Sequence, residues 1–222
     1  MSTPTSRARK PLRLSDQAAG HVRERILAGE LPAGTFIRPE VLAEELEISA
    51  TPAREGLLTL VSDGFLRVEP RRGFVVVALA QRDIEDAYAA QALLAGELAA
   101  RAAVRISTDE LAELRALQDE LAEASTRSDM LTHEARNHDF HRVIYAIADA
   151  PKIRWLLRAT LNYAPRSTYA AIPGWPTEAV VHHEAILTAL ANRDANAARA
   201  TMAAHITEAG RLLSAHLAQR RS

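Results

Sequence analysis

All of the β-forming signal in this chain lies before residue 80. Two runs, FLRV (65–68) and GFVVV (73–77), have the β-branched and aromatic density of strands, and they flank the turn-forming segment EPRR. Two such runs around a tight turn predict a hairpin. From Gln81 onward the strand signal vanishes. Alanine–leucine stretches alternate with short polar or proline-containing breaks at 107–110, 126–129, 149–151, 172–176 and 192–196. With aromatics at only 5%, this part of the chain has to bury its apolar surface helix against helix. The spacing predicts six helices, roughly 82–105, 108–126, 130–148, 152–170, 176–191 and 194–218. Asp109, Asp129 and Asp194 are each placed to begin one. Short connections make neighbours antiparallel, so the expected product is an antiparallel bundle.

The stretch 12–79 carries its own punctuation. Ser15 is placed to cap a helix running to about Ala28, with Ala18, Ala19, Val22, Ile26 and Leu27 as its apolar stripe. Gly29 ends it and LPAG turns the chain. Pro39 starts a short helix through Leu46, with Val41, Leu42 and Leu46 inward. Ser49 or Thr51 caps the next, with Leu57, Leu58, Leu60 and Val61 on its buried face and Asp63-Gly64 as its stop. Helix, helix, a turn of about four residues, helix and hairpin make a winged helix-turn-helix. The expected fold is therefore mainly α. An N-terminal winged helix-turn-helix (12–79) precedes an all-α antiparallel bundle of about six helices (80–218), and residues 1–11 read as a disordered basic tail.

Several classes fall away. Cysteine is absent, which excludes disulfides, thiolate nucleophiles and cysteine-ligated zinc. No apolar run of about 18 residues offers a membrane span, and MSTPTSRARK has no apolar segment behind its basic residues, so no membrane partner and a cytoplasmic location are expected. The net charge of −1 advertises no nucleic acid globally. Residues 11–78 hold eight Lys/Arg against ten Asp/Glu, so a DNA-binding unit here must concentrate its cations on one face, with Glu40, Glu44, Glu45 and Glu47 turned from phosphate.

Within that unit ISATPARE (48–55) opens the third helix. A helix N-terminus aims free N–H groups at phosphate, and its first side chains reach base edges. Ser49 and Thr51 supply hydroxyls for phosphate, and Arg54 a guanidinium able to grip guanine bidentately. At the hairpin tip Arg71 and Arg72 precede Gly73, which permits close backbone approach. Read plainly, the same residues are a capped surface helix and a solvated turn.

Seven of the eight histidines lie in the bundle. Asn137 and His141, four apart, share a helix face; His183 and His205 fall in the fifth and sixth bundle helices. Four N/O donors from three helices can converge in a bundle core. Three imidazoles suit a divalent first-row transition metal, zinc first, with nickel, cobalt or manganese as alternatives. His133, His138, His182 and His216 compete for these roles but read mostly as surface residues. Such a centre would also suit metal-assisted hydrolysis, yet no H-E-x-x-H relation supplies a base. A metal-free pocket and a purely structural set of histidines are further readings.

The segment GELPAGTFIRPEVLAEELEISATPAREGLLTLVSDGFLRVEPRRGFVV resembles the winged-helix domain of GntR-type bacterial transcription regulators. DFHRVIYAIADAPKI and HHEAILTALANRDANAARATMAAHI resemble the two signature stretches of the FCD ligand domain in the FadR-like branch. The resemblance covers roughly 12–218. It implies a homodimer reading a near-palindromic double-stranded operator, and a helical domain binding a small-molecule effector, often an organic acid, through a metal. It maps the metal and effector site onto Asn137, His141, His183 and His205, with Gln91 as a further effector contact.

The chain also departs from the pattern. Ala50 stands where relatives carry an arginine, Glu40 where they carry a basic or polar phosphate contact, and Gln91 where an arginine pairs with an effector carboxylate. Asn137 replaces aspartate, leaving the site one negative charge poorer.

Overall fold

The computed structural model describes residues 13–163, 172 and 174–219. The chain divides between Ala78 and Leu79 into two compact units. The basic tail and the stretch 164–170, expected to finish the fourth bundle helix, lie outside the described residues.

The first unit runs α1 (Leu14–Leu27), β1 (Phe36–Ile37), α2 (Pro39–Glu45), α3 (Ala50–Ser62), β2 (Leu66–Glu69) and β3 (Gly73–Val76). The stripe expected on α1 is buried as Ala18, Ala19, Val22, Ile26 and Leu27. Arg13 rather than Ser15 occupies its N-cap position, and Ser15 sits in the first turn. The α1 helix crosses α3 at Gly56, where an added Cβ would lie 2.7 Å from the Ser15 carbonyl oxygen and 2.9 Å from Ala18 Cβ. Arg23 reaches Asp63 at 2.8 Å and so ties α1 to the end of α3.

The α3 stripe is Ala53, Gly56, Leu57 and Leu60, spaced i, i+3, i+4, i+7. Leu58 falls about 100° away from Leu57 on the helix wheel and is exposed, contrary to its expected burial. Val41, beside buried Leu42, is exposed for the same reason, while Leu46 and Val61 are half-buried.

The hairpin pairs Leu66 with Val76 and Glu69 with Gly73, and β1 adds a third antiparallel strand, in the order β1-β3-β2. Two residues are too few to leave an alternating pattern, so sequence did not reveal β1. Gly73 has φ +98°, and a Cβ there would stand 2.8 Å from the Ile37 carbonyl. Its glycine is thus required by the neighbouring strand, before any ligand is considered.

The second unit contains six α-helices among the described residues: α4 (Gln81–Arg105), α5 (Thr108–Thr126), α6 (Met130–Ile147), α7 (Pro151–Thr160), α8 (Trp175–Ala191) and α9 (Ala195–Gln219). A 3-10 turn, Leu161–Tyr163, follows α7. Ser107, not Asp109, caps α5: it accepts from the Glu110 N–H while the Glu110 carboxylate takes the Ser107 N–H at 2.9 Å. Asp129 caps α6 through Thr132, and Asp194 accepts from the Asn196 and Ala197 N–H groups at the start of α9. Arg193 donates to the Val104 and Ile106 carbonyls and so closes the end of α4.

Small residues let α4 and α9 approach closely. A Cβ on Gly96 would lie 2.9 Å from the Arg199 carbonyl, and one on Gly210 2.6 Å from Tyr88. Their antiparallel pairing forms a wall of the core, with Ala95, Leu98, Ala99, Ala198, Met202 and Leu213 buried between them and their neighbours.

Candidate DNA interface and candidate metal centre

At the start of α3, Ser49 takes the N-cap position with extended backbone, and its hydroxyl makes no capping hydrogen bond. Ser49, Thr51 and Arg54 are all exposed. The Arg54 guanidinium lies 6.0 Å from the Phe74 ring centroid, which sets this arginine beside the hairpin. Arg71 and Arg72 are exposed at the hairpin tip. Arg71 has φ 65°, and Arg72 lies 5.8 Å from the Phe36 ring centroid. Of the acidic residues near α2, Glu45 is turned to α1, where it takes Arg25 and His21, each at 2.9 Å. Glu40, Glu44 and Glu47 are exposed. Val41 and Leu58 add exposed apolar groups on α2 and α3.

In the bundle, α6, α8 and α9 bring His141, His183 and His205 together, with one ring nitrogen of each within 4.8 Å of the others. His141 Nε2 stands 3.1 Å from His205 Nε2. That separation fits two nitrogen ligands about 2.1 Å from a shared ion. Asn137 sits one turn before His141, and its Oδ1 is buried without a hydrogen-bond partner. His183 Nε2 and His205 Nδ1 are likewise buried and unpaired. Buried polar atoms without partners are rare in native proteins and point to an absent ligand. The three-imidazole set with an adjacent amide oxygen is chemically suited to a divalent first-row ion.

Three neighbours, which sequence reasoning missed, organise this set. The Gln118 side-chain N–H donates to the Val180 carbonyl at 2.9 Å, so its oxygen is the atom that meets His183 Nδ1 at 3.2 Å. Nδ1 then carries the proton, and the lone pair falls on Nε2, facing the other rings. Phe140 stacks on His183 at a 4.1 Å centroid distance. The Tyr145 hydroxyl lies 3.4 Å from His141 Nδ1.

Burial, reinforced by mutual repulsion with the neighbouring rings, holds His183 and His205 well below the ordinary histidine range, and burial lowers His141 to about 4. The rings are therefore neutral near pH 7, the form that ligates metal. Burial raises the Tyr145 hydroxyl.

His133, expected at the surface, is fully buried. It falls on the inner face of α6 two turns before His141, and nothing in its sequence neighbourhood separated it from solvent-facing histidines. His138, His182 and His216 are intermediate in burial. Gln91 on α4 is buried with its Oε1 unpaired.

A winged helix ahead of an all-helical unit with a buried imidazole cluster is the build of a one-chain transcription regulator. The chain belongs to the GntR family of bacterial regulatory proteins, whose family model matches residues 14–76, and it carries an FCD domain over residues 76–208. The HTH-type transcriptional regulator McbR of Escherichia coli K12 is 27% identical over 198 residues, 87% of this chain and 90% of that one. The solved structure of E. coli McbR/YncC superposes with a TM-score of 0.71 at 26% identity, covering 96% of this chain and 100% of that one. The Nta operon transcriptional regulator of Aminobacter aminovorans is 29% identical over 177 residues, 78% of this chain and 81% of its own length. These families and relatives are transcription regulators, not enzymes, and GntR regulators bind operator DNA. No helix among the described residues is long and apolar enough to cross a membrane.

Proposed function

We propose that this regulator's operator affinity is set by a small metabolite bound beside a divalent metal in the helical unit. The observation that carries this reading is the convergence of three neutral imidazoles from three helices, His183 and His205 buried and His141 half-buried, beside the unpaired Asn137 amide oxygen. Asn137, His141, His183 and His205 hold the metal. Zinc is the first candidate, ahead of nickel, cobalt and manganese. A bound ion supplies positive charge and open coordination positions that an effector oxygen, such as that of an organic acid, can fill. Gln118 keeps His183 in the ligating tautomer, Phe140 shields its face from water, and Gln91 offers the effector an uncharged acceptor.

The wing unit reads a near-palindromic double-stranded operator as a homodimer in the cytoplasm. Ser49 and Thr51 take phosphates at the α3 N-terminus. Arg54 reads a base edge, and Arg71 and Arg72, turned by Gly73, contact the backbone or minor groove. Exposure of all these side chains except half-buried Gly73, together with the free Ser49 hydroxyl, supports this assignment.

Elemental analysis of the purified chain tests the metal. The expected result is about one ion per chain, lost in His183→Ala and His205→Ala. Full occupancy in both variants overturns the ligand set, and thermal stability indifferent to a strong chelator favours a metal-free pocket.

A further inference from the structure

Phe36 stands in an unusual place for its type. The chain has four phenylalanines, and the other three, Phe65, Phe74 and Phe140, are at most 1% exposed, whereas Phe36 is 47% exposed. It sits on the edge strand β1, opposite Val75 of β3. Core burial therefore does not explain an aromatic ring at this position. What covers the ring is a cation: the Arg72 guanidinium lies 5.8 Å from its centroid.

Arg72 closes the hairpin turn. Its N–H meets the Glu69 carbonyl at 3.1 Å, with Pro70 and Arg71 between them. Arg71 has φ 65°, the left-handed backbone that the third position of a type II turn requires and that glycine or asparagine usually supplies. The three arginines of the hairpin are held differently. Arg67 is taken by the Glu69 carboxylate. Arg72 rests on the Phe36 ring and, among the described residues, meets no carboxylate. Arg71 has neither a ring nor a carboxylate among those residues. The ring is also fixed relative to the tip. Strand β1 is paired to β3, and Gly73, which follows Arg72, packs so close that an added Cβ would stand 2.8 Å from the Ile37 carbonyl.

A guanidinium stacked on an aromatic face keeps its N–H edge free for a planar anion. It has also surrendered part of its rotamer freedom before any ligand arrives, so less is lost on binding.

We infer that Phe36 is a positioning residue for DNA binding: its ring holds the Arg72 guanidinium ready for a backbone phosphate beside the hairpin tip. This rests on the reading of Arg72 as a DNA contact given above. Phe36 itself adds no charge and touches no base.

Fluorescence anisotropy of the full chain across a salt series tests the inference. The probe is a labelled duplex that the parent chain selects from a random-sequence pool. Phe36→Leu should weaken binding about 3–10-fold, the size expected of a lost exposed cation–π contact with its share of rotamer ordering. Phe36→Tyr, which keeps the ring, should bind like the parent. Arg72→Ala should weaken binding and reduce the salt slope by about one. Adding Phe36→Leu to Arg72→Ala should cost nothing further, because the ring then has no cation to hold. Parent-like or tighter binding by Phe36→Leu overturns the inference. So does a loss that persists in full in the Arg72→Ala background, which would make Phe36 a support of the strand alone, or a Phe36→Tyr variant as weak as Phe36→Leu. An Arg72→Ala variant with unchanged affinity and salt slope, or a pool that yields no bound duplex, sinks the DNA reading of the hairpin tip and takes the inference with it.

Discussion

At His183 two contacts decide what the ring can do. Gln118 fixes the proton on Nδ1, and the stacked Phe140 fixes the plane, so Nε2 is presented as a lone pair. Loss of the orienting partner removes no ligand, yet such partners are typically worth about 10–100-fold in metal affinity. Gln118→Leu is expected to weaken metal binding by that factor in competition with a chromophoric chelator, and affinity equal to the parent's would strip Gln118 of the role. On the DNA side, Arg54→Ala should cost roughly 1–3 kcal/mol in operator binding and relax specificity at one base position. Arg71→Ala and Arg72→Ala should instead weaken all duplexes alike and reduce the salt slope by about one each. Fluorescence anisotropy across salt concentrations separates the two behaviours. That His141, His183 and His205 would come together was legible from family-like stretches and from the four-residue spacing of Asn137 and His141. Gln118 was not, because a glutamine on an amphipathic helix looks the same whether it faces solvent or a ring 65 positions away.

Element by element, the local signals that agree with packing were readable and those created by packing were not. Helix breaks are written in Asp, Gly and Pro, so α4, α5, α6, α8 and α9 fall close to their expected spans. Strand β1 exists only because β3 offers it a partner, and two residues carry no period of their own. Gly56 was equally silent: a glycine inside a helix reads as a weakness until α1 is seen lying on it. Gly56→Ala should therefore destabilise by about 1–3 kcal/mol despite the better helix propensity of alanine, as measured by the urea midpoint.

The same elements set a pH dependence. His141, His183 and His205 come from three helices and have folded pKa values below the unfolded value near 6.5. The unfolded chain thus binds more protons, and stability rises with pH through that window. The metal-free protein should be unaffected above about pH 6.5 and lose stability progressively toward pH 4. The His141 shift to about 4 alone accounts for about 3 kcal/mol. Urea titrations at pH 7.5, 6 and 5 in the presence of chelator check the trend, and midpoints that stay level would mean the rings are hydrated in the folded state.

For the whole molecule, control of DNA binding by a ligand in a separate unit is a coupling free energy, and it is bounded. The effector can shift operator affinity by no more than the ratio of its own affinities for the two states of the chain. Couplings of about 1–3 kcal/mol, or roughly 5–150-fold, are typical. Linkage makes the effect reciprocal: if effector changes operator affinity by some factor, operator DNA must change effector affinity by the same factor. With the effector in the helical unit, as proposed, the chain's two compact units supply two distinct places for the two ligands, so the relation can be measured directly on the full chain. Anisotropy of a labelled operator duplex with and without saturating effector gives one factor, and calorimetric titration of effector with and without saturating duplex gives the other. Both must be taken at one ionic strength, because phosphate contacts alone change affinity steeply with salt. Equal factors well above one are the expected result. Factors of one in both directions would leave the helical unit as a binding module without control over the wing, and the imidazole cluster would then act on stability alone.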